Sequence, residues 1–291
     1  MEKVLIAGIK GFLGRRLATI LNDHYIIFGL DRDNSIINLA HKNKEIIIYE
    51  STEDSIEQAF FEHKFDFVIN AATVYKVEGS IIPIIQSNVI LPVYLYELSE
   101  KYNAKLFINS DTFFNTGLRN YDYLSEYTYS KEDCINWLNI VKGNCKIANM
   151  KIFHMFGPND NPNKFIQNIL IRLLNNERFI NLTPGNQKRD FIFVDDVVNA
   201  YRVLLEKNEV IHDKFSQFEV GTGVDTSLKK ALGLALRLIN SKSELRFGAL
   251  DYRDGEIMKS KANIGSLVQL GWLPNYTLAD GLKITIDSLK S

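Results

Sequence analysis

Three residues of this chain have the types and spacing needed for proton transfer: Ser110, Tyr127 and Lys131. Residues four apart on a helix share one face, so Tyr127 and Lys131 would meet over one substrate. A tyrosine with a pKa of about 10 is a poor acid at neutral pH, and a neighbouring ammonium would lower that pKa toward the working range. We therefore expect Tyr127 to donate a proton, and the Ser110 hydroxyl to hydrogen-bond the reacting carbonyl.

The alternative interpretation is that Tyr127 and Lys131 form only a surface pair, because this spacing also arises by chance. Three further tyrosines, Tyr121, Tyr123 and Tyr129, lie nearby without a lysine at the same spacing. We expect Tyr123 and Tyr129 to pack against the core rather than to take part in catalysis.

A glycine motif near the N-terminus predicts a dinucleotide site. Gly8, Gly11 and Gly14 form G-I-K-G-F-L-G directly after a short apolar run, and Phe12 and Leu13 begin an amphipathic pattern. Glycines between a strand and a helix permit a sharp turn, the approach of a pyrophosphate and close helix–strand packing. The helix N-terminus then offers N–H groups and a positive dipole end to the phosphates. A plain tight turn is the alternative, but the strand–loop–helix context favours cofactor binding.

The residue that would bind the adenosine ribose follows the next apolar run. Asp31 is at that position, and a carboxylate there binds the 2′-hydroxyl and repels a 2′-phosphate. The adjacent Arg32 would favour the phosphate, or it is a solvated loop charge. The cofactor is therefore NAD(H) or NADP(H), with NAD(H) favoured. Ala71 and Ala72 end a later strand, where the nicotinamide half would pass.

The elements that position these residues alternate in the first half of the chain. Short apolar runs and helical patterns in turn are typical of a doubly wound parallel sheet, whose ligands bind beyond the carboxyl ends of the strands. We predict a dinucleotide-binding domain over residues 1–155 and a smaller C-terminal α/β substrate lobe over 156–291, with the chain returning to the first domain near 190–205. Strands are predicted at 3–7, 25–30, 45–49, 65–70, 105–109, 146–153, 191–194 and 218–220, and helices at 13–22, 56–63, 84–102, 127–141, 165–175, 196–205, 227–240 and from 278.

The totals exclude several classes of protein. A formal net charge of −1 gives no general attraction to nucleic acid or to an anionic membrane. Cys134 and Cys145 are too few for a disulfide framework and lack metal-site spacing. No signal peptide is visible, and no apolar stretch approaches the roughly 20 residues that cross a bilayer. We expect a soluble cytoplasmic protein with no metal site, and we interpret Asp195 and Asp196 as the start of a helix.

Several segments resemble the extended short-chain dehydrogenase/reductase family that acts on sugar nucleotides. They are G-I-K-G-F-L-G, N-A-A-T, S-D-T-F-F, Y-T-Y-S-K and Q-K-R-D-F-I-F-V-D-D, and the resemblance covers nearly the whole chain. Within the family, I-N-S-D-T-F-F, K-I-F-H-M-F-G-P and G-N-Q-K-R-D-F are most similar to the C-4 ketoreductases that make CDP-linked 3,6-dideoxyhexoses, the paratose and abequose synthases. The resemblance implies a Ser110, Tyr127 and Lys131 catalytic triad, and a homodimer formed through the helix that carries Tyr127 and the helix before it.

The resemblance also implies a substrate site. Arg189 and Arg253 match arginines that bind the nucleotide diphosphate, and guanidinium forks suit phosphate oxygens. Either arginine is alternatively an ordinary surface charge. His154 replaces an asparagine that contacts the sugar nucleotide in many members, so it either binds the sugar or is a partly buried core histidine. Asp111 and Thr112 follow the catalytic serine, where family dehydratases have an acidic pair, so the missing glutamate disfavours dehydration.

Three functions remain after these observations. The first is NAD(P)H-dependent reduction of the C-4 ketone of a CDP-, dTDP- or GDP-linked deoxysugar for surface polysaccharide. The second is an epimerase or dehydratase that retains its NAD. The third is a non-catalytic NAD(P)-binding sensor of redox state.

Overall fold

The computed structural model describes residues 1–35, 45–115 and 124–290, so the predicted Tyr121 and Tyr123 lie outside it. The described chain forms two compact units. Within the described residues, the first unit comprises 1–115, 124–151 and 198–218, and the second comprises 152–197 and 219–290.

The strands follow the predicted order. In chain order they are β1 Lys3–Ala7, β2 Ile26–Asp31, β3 Ile48–Glu50, β4 Phe67–Asn70, β5 Leu106–Thr112, β6 Lys146–Ile152, β7 His154–Phe156, β8 Phe179–Leu182, β9 Lys188–Arg189, β10 Phe191–Phe193, β11 Phe215–Val220, β12 Thr226–Ser227 and β13 Glu244–Phe247.

The helices lie between these strands. They are α1 Phe12–Leu21, α2 Glu53–His63, α3 Ile82–Ile85, α4 Leu91–Lys101, α5 Ser125–Ile140, α6 Phe165–Leu174, α7 Val194–Glu206, α8 Leu228–Ile239, α9 Gly265–Gln269 and α10 Leu278–Lys290.

A seven-stranded sheet forms the centre of the first unit, in the order β11-β6-β5-β4-β1-β2-β3. β1 pairs in parallel with both β2 and β4, and β5 pairs in parallel with β4. The strand order reverses between β1 and β4, which is where ligands bind in open α/β sheets. The predicted doubly wound fold is confirmed. Apolar side chains such as Leu5, Val68, Phe107 and Ile147 form its core, because helices cover both faces of a parallel sheet.

Two boundaries differ from the sequence prediction in ways that matter for the site. β5 continues to Thr112, so Ser110 and Asp111 lie inside a strand whose residues are all buried. The helix predicted over 84–102 is interrupted by a π-helical turn, Gln86–Ile90, between α3 and α4. Such turns often occur at functional sites. A π-helical turn inserts one residue locally into a helix and leaves the apolar spacing on either side close to 3.6 residues. Sequence periodicity therefore could not predict this turn.

One packing expectation is wrong. Tyr129 lies on α5 but is 51% exposed, whereas Tyr127 on the same helix is 5% exposed. Residues two apart on a helix point to different faces. Burying Tyr127 against the sheet therefore turns Tyr129 toward solvent.

The second unit contains three two-stranded sheets: β10 with β7, β12 with β9, and β13 with β8. Its turns are fixed by buried carboxylates. Asp190 accepts hydrogen bonds from the N–H groups of Thr222, Gly223 and Ala262 at 2.8 to 3.1 Å. Asp196, in the first turn of α7, accepts from the N–H of Asn275 at 2.8 Å. In the described ranges, no helix has the length and apolarity that a membrane span requires.

Candidate active site

The glycine loop connects β1 to α1 with very little space around its backbone. Gly8 has φ of 76°, and a Cβ there would lie 2.7 Å from the Ala72 backbone. A Cβ on Gly14 would lie 2.1 Å from the Gly8 carbonyl oxygen. Gly11 precedes α1 without a side-chain cap, and Phe12 and Leu13 form its first turn. Only glycine fits at positions 8 and 14, and the helix N-terminus keeps the geometry that suits a pyrophosphate.

Asp31 ends β2 beside this loop. Its Oδ2 accepts a hydrogen bond from the Lys10 N–H at 2.9 Å, and its Oδ1 accepts from the Arg32 N–H at 2.9 Å. The Lys10 ammonium pairs with Asp33. A carboxylate oxygen accepts more than one hydrogen bond, so Asp31 retains acceptor capacity for ribose hydroxyls. This donor and acceptor set fits a dinucleotide. Ala71, whose N–H donates to the Ala7 carbonyl at 2.9 Å, and Ala72 follow β4 next to the loop.

Ser110 is held within the sheet rather than left open to a ligand. Its hydroxyl donates to the Asn70 carbonyl at 2.6 Å and lies 2.7 Å from the Tyr201 hydroxyl. Tyr201, on α7, is fully buried. These contacts orient the Ser110 oxygen, which retains lone-pair capacity for a further partner.

Tyr127 is buried, with 5% of its surface exposed. Burial raises its pKa well above the usual value, Tyr75 adds to the increase, and a hydrogen bond from Thr112 opposes it. The Tyr75 ring lies 4.7 Å from the Tyr127 ring, centroid to centroid, and is tilted by 32° to it. The expectation that Lys131 lowers this pKa is therefore wrong for the structure, because desolvation dominates. Tyr127 is protonated at neutral pH.

Lys131 lies one helical turn after Tyr127 on α5, as predicted, and is 2% exposed. Its ammonium nitrogen donates to the Ser110 carbonyl at 2.9 Å. Burial lowers the pKa of Lys131, and the nearby Cys134 and Asp111 oppose the shift. The predicted alternative of a mere surface pair is wrong, since both side chains are buried.

A line of side-chain amides crosses the sheet and ends beside Ser110. Asn70 donates to Asn109 at 2.9 Å, Asn109 donates to Asn149 at 2.8 Å, and Asn149 donates to Oδ2 of Asp111 at 3.1 Å. We call these four residues the amide line. Burial raises the pKa of Asp111 to about 6, although hydrogen bonds to Thr112 and Asn149 oppose the shift. Among the described residues, Oδ1 of Asp111 has no hydrogen-bond partner.

Asn88 connects two of the site's segments. Its side chain accepts from the Val74 N–H at 2.8 Å and donates to the Val74 carbonyl at 2.8 Å. It also donates to the Ser130 hydroxyl at 2.9 Å, and that hydroxyl donates to the Tyr127 carbonyl at 2.8 Å. The π-helical turn places this fully buried amide between the segment after β4 and the start of α5.

The second unit contains the predicted diphosphate arginines. Arg189 is 8% exposed, forms an ion pair with Glu256 and donates to the carbonyls of Lys188 and Ile257. Arg253 is exposed and lies in the turn where the Glu256 N–H donates to the Arg253 carbonyl at 3.1 Å. Arg189 is thus a buried charge with a partner rather than an ordinary surface charge.

His154 begins β7 and pairs in register with Phe191 of β10. Its ring lies 5.9 Å from the Phe191 ring. Burial lowers the pKa of His154 well below the usual value, and the Arg189 charge adds to this. His154 is therefore neutral at physiological pH, so any ligand contact would use a neutral imidazole.

Comparison with known proteins identifies the family. The model of the NAD dependent epimerase/dehydratase family matches residues 4–221. The CDP-abequose synthase of Salmonella typhimurium is 35% identical over 291 residues, which cover 97% of this chain and 96% of that protein. The chain belongs to the NAD dependent epimerase/dehydratase family. The predicted resemblance and the predicted use of NAD are thereby confirmed.

Solved structures of epimerases have the same fold as this family member. The UDP-glucose 4-epimerase of Thermotoga maritima, with UDP-glucose, superposes with a TM-score of 0.83 at 24% identity, covering 99% of this chain and 98% of the other. The Thermus thermophilus UDP-glucose 4-epimerase, in complex with NAD, superposes with a TM-score of 0.81 at 18% identity, and the match covers 99% of both chains.

Sequence reasoning missed three residues of the site: Tyr75, Asn88 and Tyr201. Tyr75 follows Ala72 closely at the carboxyl end of a strand, so the rule that ligands bind there could have identified it. Asn88 and Tyr201 lie on helices far along the chain from their partners Val74 and Ser110, and no local pattern indicates such contacts.

Proposed function

We propose that this protein reduces the C-4 ketone of a nucleotide-linked 4-keto-deoxyhexose in deoxysugar biosynthesis, with Ser110, Tyr127 and Lys131 as its catalytic residues. The observation that carries the proposal is the buried Tyr127, whose raised pKa keeps it protonated beside Thr112. Reduction of a ketone needs an acid that holds its proton until an alkoxide forms. The substrate class follows from CDP-abequose synthase, the 35% identical relative.

Each catalytic residue has a distinct role in this proposal. Tyr127 gives its proton to the oxygen of the reacting carbonyl. The Ser110 hydroxyl, which donates to the Asn70 carbonyl and lies beside the Tyr201 hydroxyl, turns to donate its proton to the same substrate oxygen instead. Lys131 binds the nicotinamide ribose and fixes the substrate-facing end of β5 through the Ser110 carbonyl.

The cofactor is proposed to bind at the glycine loop. Gly8, Gly11 and Gly14 let the pyrophosphate approach α1, and Asp31 binds the adenosine ribose, which favours NAD(H) over NADP(H). When bound, the reduced nicotinamide supplies the hydride that forms the new C–H bond. Arg32 is the residue that would admit a 2′-phosphate.

Arg189, Arg253, His154, Asp111 and Thr112 are proposed to bind the sugar nucleotide. The Arg189 guanidinium is already fixed by Glu256 and two carbonyls, and a pre-organised fork loses little entropy on binding phosphate. The second unit would then be the substrate lobe and the first the dinucleotide-binding domain.

A retained-cofactor epimerase is the second candidate function. It is favoured by the family and by the shared fold with two UDP-glucose 4-epimerases. Dehydration is disfavoured because Thr112 follows Asp111 where a second carboxylate would be needed.

The test is a measurement of reduced-nicotinamide absorbance with the purified protein and CDP-, dTDP- and GDP-4-keto-6-deoxy sugars, using NADH and NADPH in separate reactions. Oxidation of one cofactor molecule per ketone supplied is expected. The rates would also show which nucleotide-linked sugar and which of NADH and NADPH the protein prefers. Conversion of a sugar nucleotide without net cofactor oxidation would favour the epimerase. Cofactor binding without turnover would favour the redox sensor.

A homodimer and a cytoplasmic location are also proposed. Exposed apolar side chains occur on α3, on the π-helical turn that follows it and on α5, and large exposed apolar patches mark interfaces. They include Ile82, Ile85, Trp137 and Ile140. Sedimentation of the wild type and of a Trp137→Glu variant tests the dimer. Both cysteines are buried free thiols, as is usual in a reducing compartment.

A further inference from the structure

The proposed reduction has a proton requirement that epimerisation lacks. Each reduced ketone takes one proton from Tyr127, which must then regain a proton from solvent before the next turnover. Tyr127 is only 5% exposed. Thr112, which hydrogen-bonds to it, is also 5% exposed, and Lys131 is 2% exposed. None of these three side chains offers an open path for the returning proton.

Tyr75 bridges Tyr127 and solvent. Its ring lies against that of Tyr127, tilted by 32° with centroids 4.7 Å apart, and its side chain contributes to the raised pKa of Tyr127. Tyr75 is also 41% exposed. Of Thr112, Lys131 and Tyr75, Tyr75 is the one that reaches solvent.

An open surface groove is lined by sequence neighbours of the two tyrosines. Its volume is about 730 Å³, and it is lined by residues 76–81, which directly follow Tyr75, and by Glu126, which directly precedes Tyr127. This space is large enough to hold many water molecules, since one water occupies about 30 Å³ of liquid. Water therefore has access to the segment that carries Tyr75.

The same buried amide holds both tyrosines in place. Asn88 binds the N–H and carbonyl of Val74, the neighbour of Tyr75, and it binds Ser130, whose hydroxyl donates to the Tyr127 carbonyl. Two segments distant in sequence are thus fixed against each other. The ring contact between the tyrosines is therefore pre-organised by a buried amide.

We propose that Tyr75 is the proton-relay residue that returns Tyr127 to its protonated form after each reduction; this rests on the proposed function. In the reduction, the hydride forms the C–H bond, the carbonyl π electrons move to oxygen, and the Tyr127 O–H bond breaks as the new O–H bond forms. The Tyr127 phenolate then takes the proton of the Tyr75 hydroxyl. The Tyr75 phenolate finally takes a proton from water or a buffer acid.

The experiment compares wild type with Tyr75→Phe in weakly buffered solution, by stopped-flow oxidation of NADH with saturating sugar nucleotide. Phenylalanine keeps the ring contact and removes the hydroxyl. The first turnover uses the proton already on Tyr127, so we expect a burst of one NADH per active site at the wild-type rate. Later turnovers should be roughly tenfold slower, a smaller loss than removal of the acid itself. Imidazole, a small proton carrier, should restore the steady rate.

Two further variants make the test specific. Tyr129→Phe, on the same helix but facing solvent, should show no burst and no loss. Tyr75→His supplies a ring nitrogen that carries a proton near neutral pH, so it should keep a faster steady rate than Tyr75→Phe. Unchanged melting temperature and NADH binding would show that each variant is folded.

Several results would overturn the relay. A slowed first turnover would mean that Tyr75 positions substrate, and a raised KM with unchanged kcat would mean that it only binds substrate. A steady rate equal to that of wild type, or a loss that imidazole does not repair, would also contradict it. These outcomes leave the reductase assignment intact, whereas a wild type that reduces no ketone refutes the proposed function first.

Discussion

The two units place their functional residues in different ways. In the first unit, Ser110 and Ala71 lie at the ends of neighbouring parallel strands of one seven-stranded sheet. In the second, Arg189 lies on a two-residue strand that pairs antiparallel with β12, Thr226 opposite Arg189. A continuous sheet brings strand ends to one edge as a matter of topology. A two-stranded sheet does so only through its particular register, which sequence patterns specify weakly.

The units also differ in how they treat buried charge. In the first, burial raises the pKa of Tyr127 and of Asp111 and lowers the pKa of Lys131, so each shift favours a neutral side chain. In the second, Arg189 is buried as a cation and is paired with Glu256. Side chains with shifted pKa values suit proton transfer, and a fixed cation suits recognition of an anion. The contrast supports the proposed division of roles, with proton transfer in the first unit and substrate binding in the second.

The largest expected effect is that of Tyr127→Phe. Loss of the acid should lower kcat by roughly 10²-fold or more, the usual scale of acid–base catalysis. KM for the sugar nucleotide should change little, because binding is assigned to other residues. Steady-state kinetics with Tyr129→Phe as the control measure this effect. A near-normal kcat would contradict the proposed catalytic role of Tyr127 and, with it, the proposed role of the first unit in proton transfer.

The next effect is a pH dependence of stability caused by Asp111. Its folded-state pKa of about 6 exceeds the unfolded value, so its contribution to stability is present at low pH and is lost as pH rises through about 6. Between pH 4.5 and 7.5 we expect the free energy of unfolding of wild type to fall by about 2 kcal/mol relative to Asp111→Asn. Urea denaturation of both proteins across this range measures it. If the unfolding free energies of wild type and Asp111→Asn change with pH in parallel, ionisation of Asp111 does not destabilise the fold, and the expected pKa shift is contradicted.

The smallest effect is expected in the second unit. Arg189→Ala should raise KM for the sugar nucleotide about tenfold, equivalent to about 1.4 kcal/mol of binding, with a smaller change in kcat. Arg189→Lys should lie between, since it keeps the charge but loses the fork. Arg246→Ala, an exposed arginine in the same unit, is the control. An unchanged KM would place diphosphate binding elsewhere and erase the distinction between the units.

Local patterns predicted the fold and the parts of the site that lie on regular elements. The glycine loop follows from a strand, three glycines and a helix, and the shared burial of Tyr127 and Lys131 follows from their spacing on α5. Tyr201 beside Ser110, and Asn88 beside Val74, required the folded chain, because each pair joins an element to a distant one. The raised pKa of Tyr127 was also out of reach, since spacing reveals a neighbouring lysine but not the loss of water around the phenol.

The amide line has a direction. Each of the three amides donates toward Asp111, and the middle two, Asn109 and Asn149, also accept from the side of Asn70, so rotating either of these two by half a turn would break two hydrogen bonds at once. The three amide dipoles are therefore aligned in the same direction, with their positive NH₂ ends toward the Asp111 carboxyl group. A substitution of Asn70, which is three hydrogen bonds away from Asp111 along the line, would change the orientation of the amides that contact the residue next to Ser110.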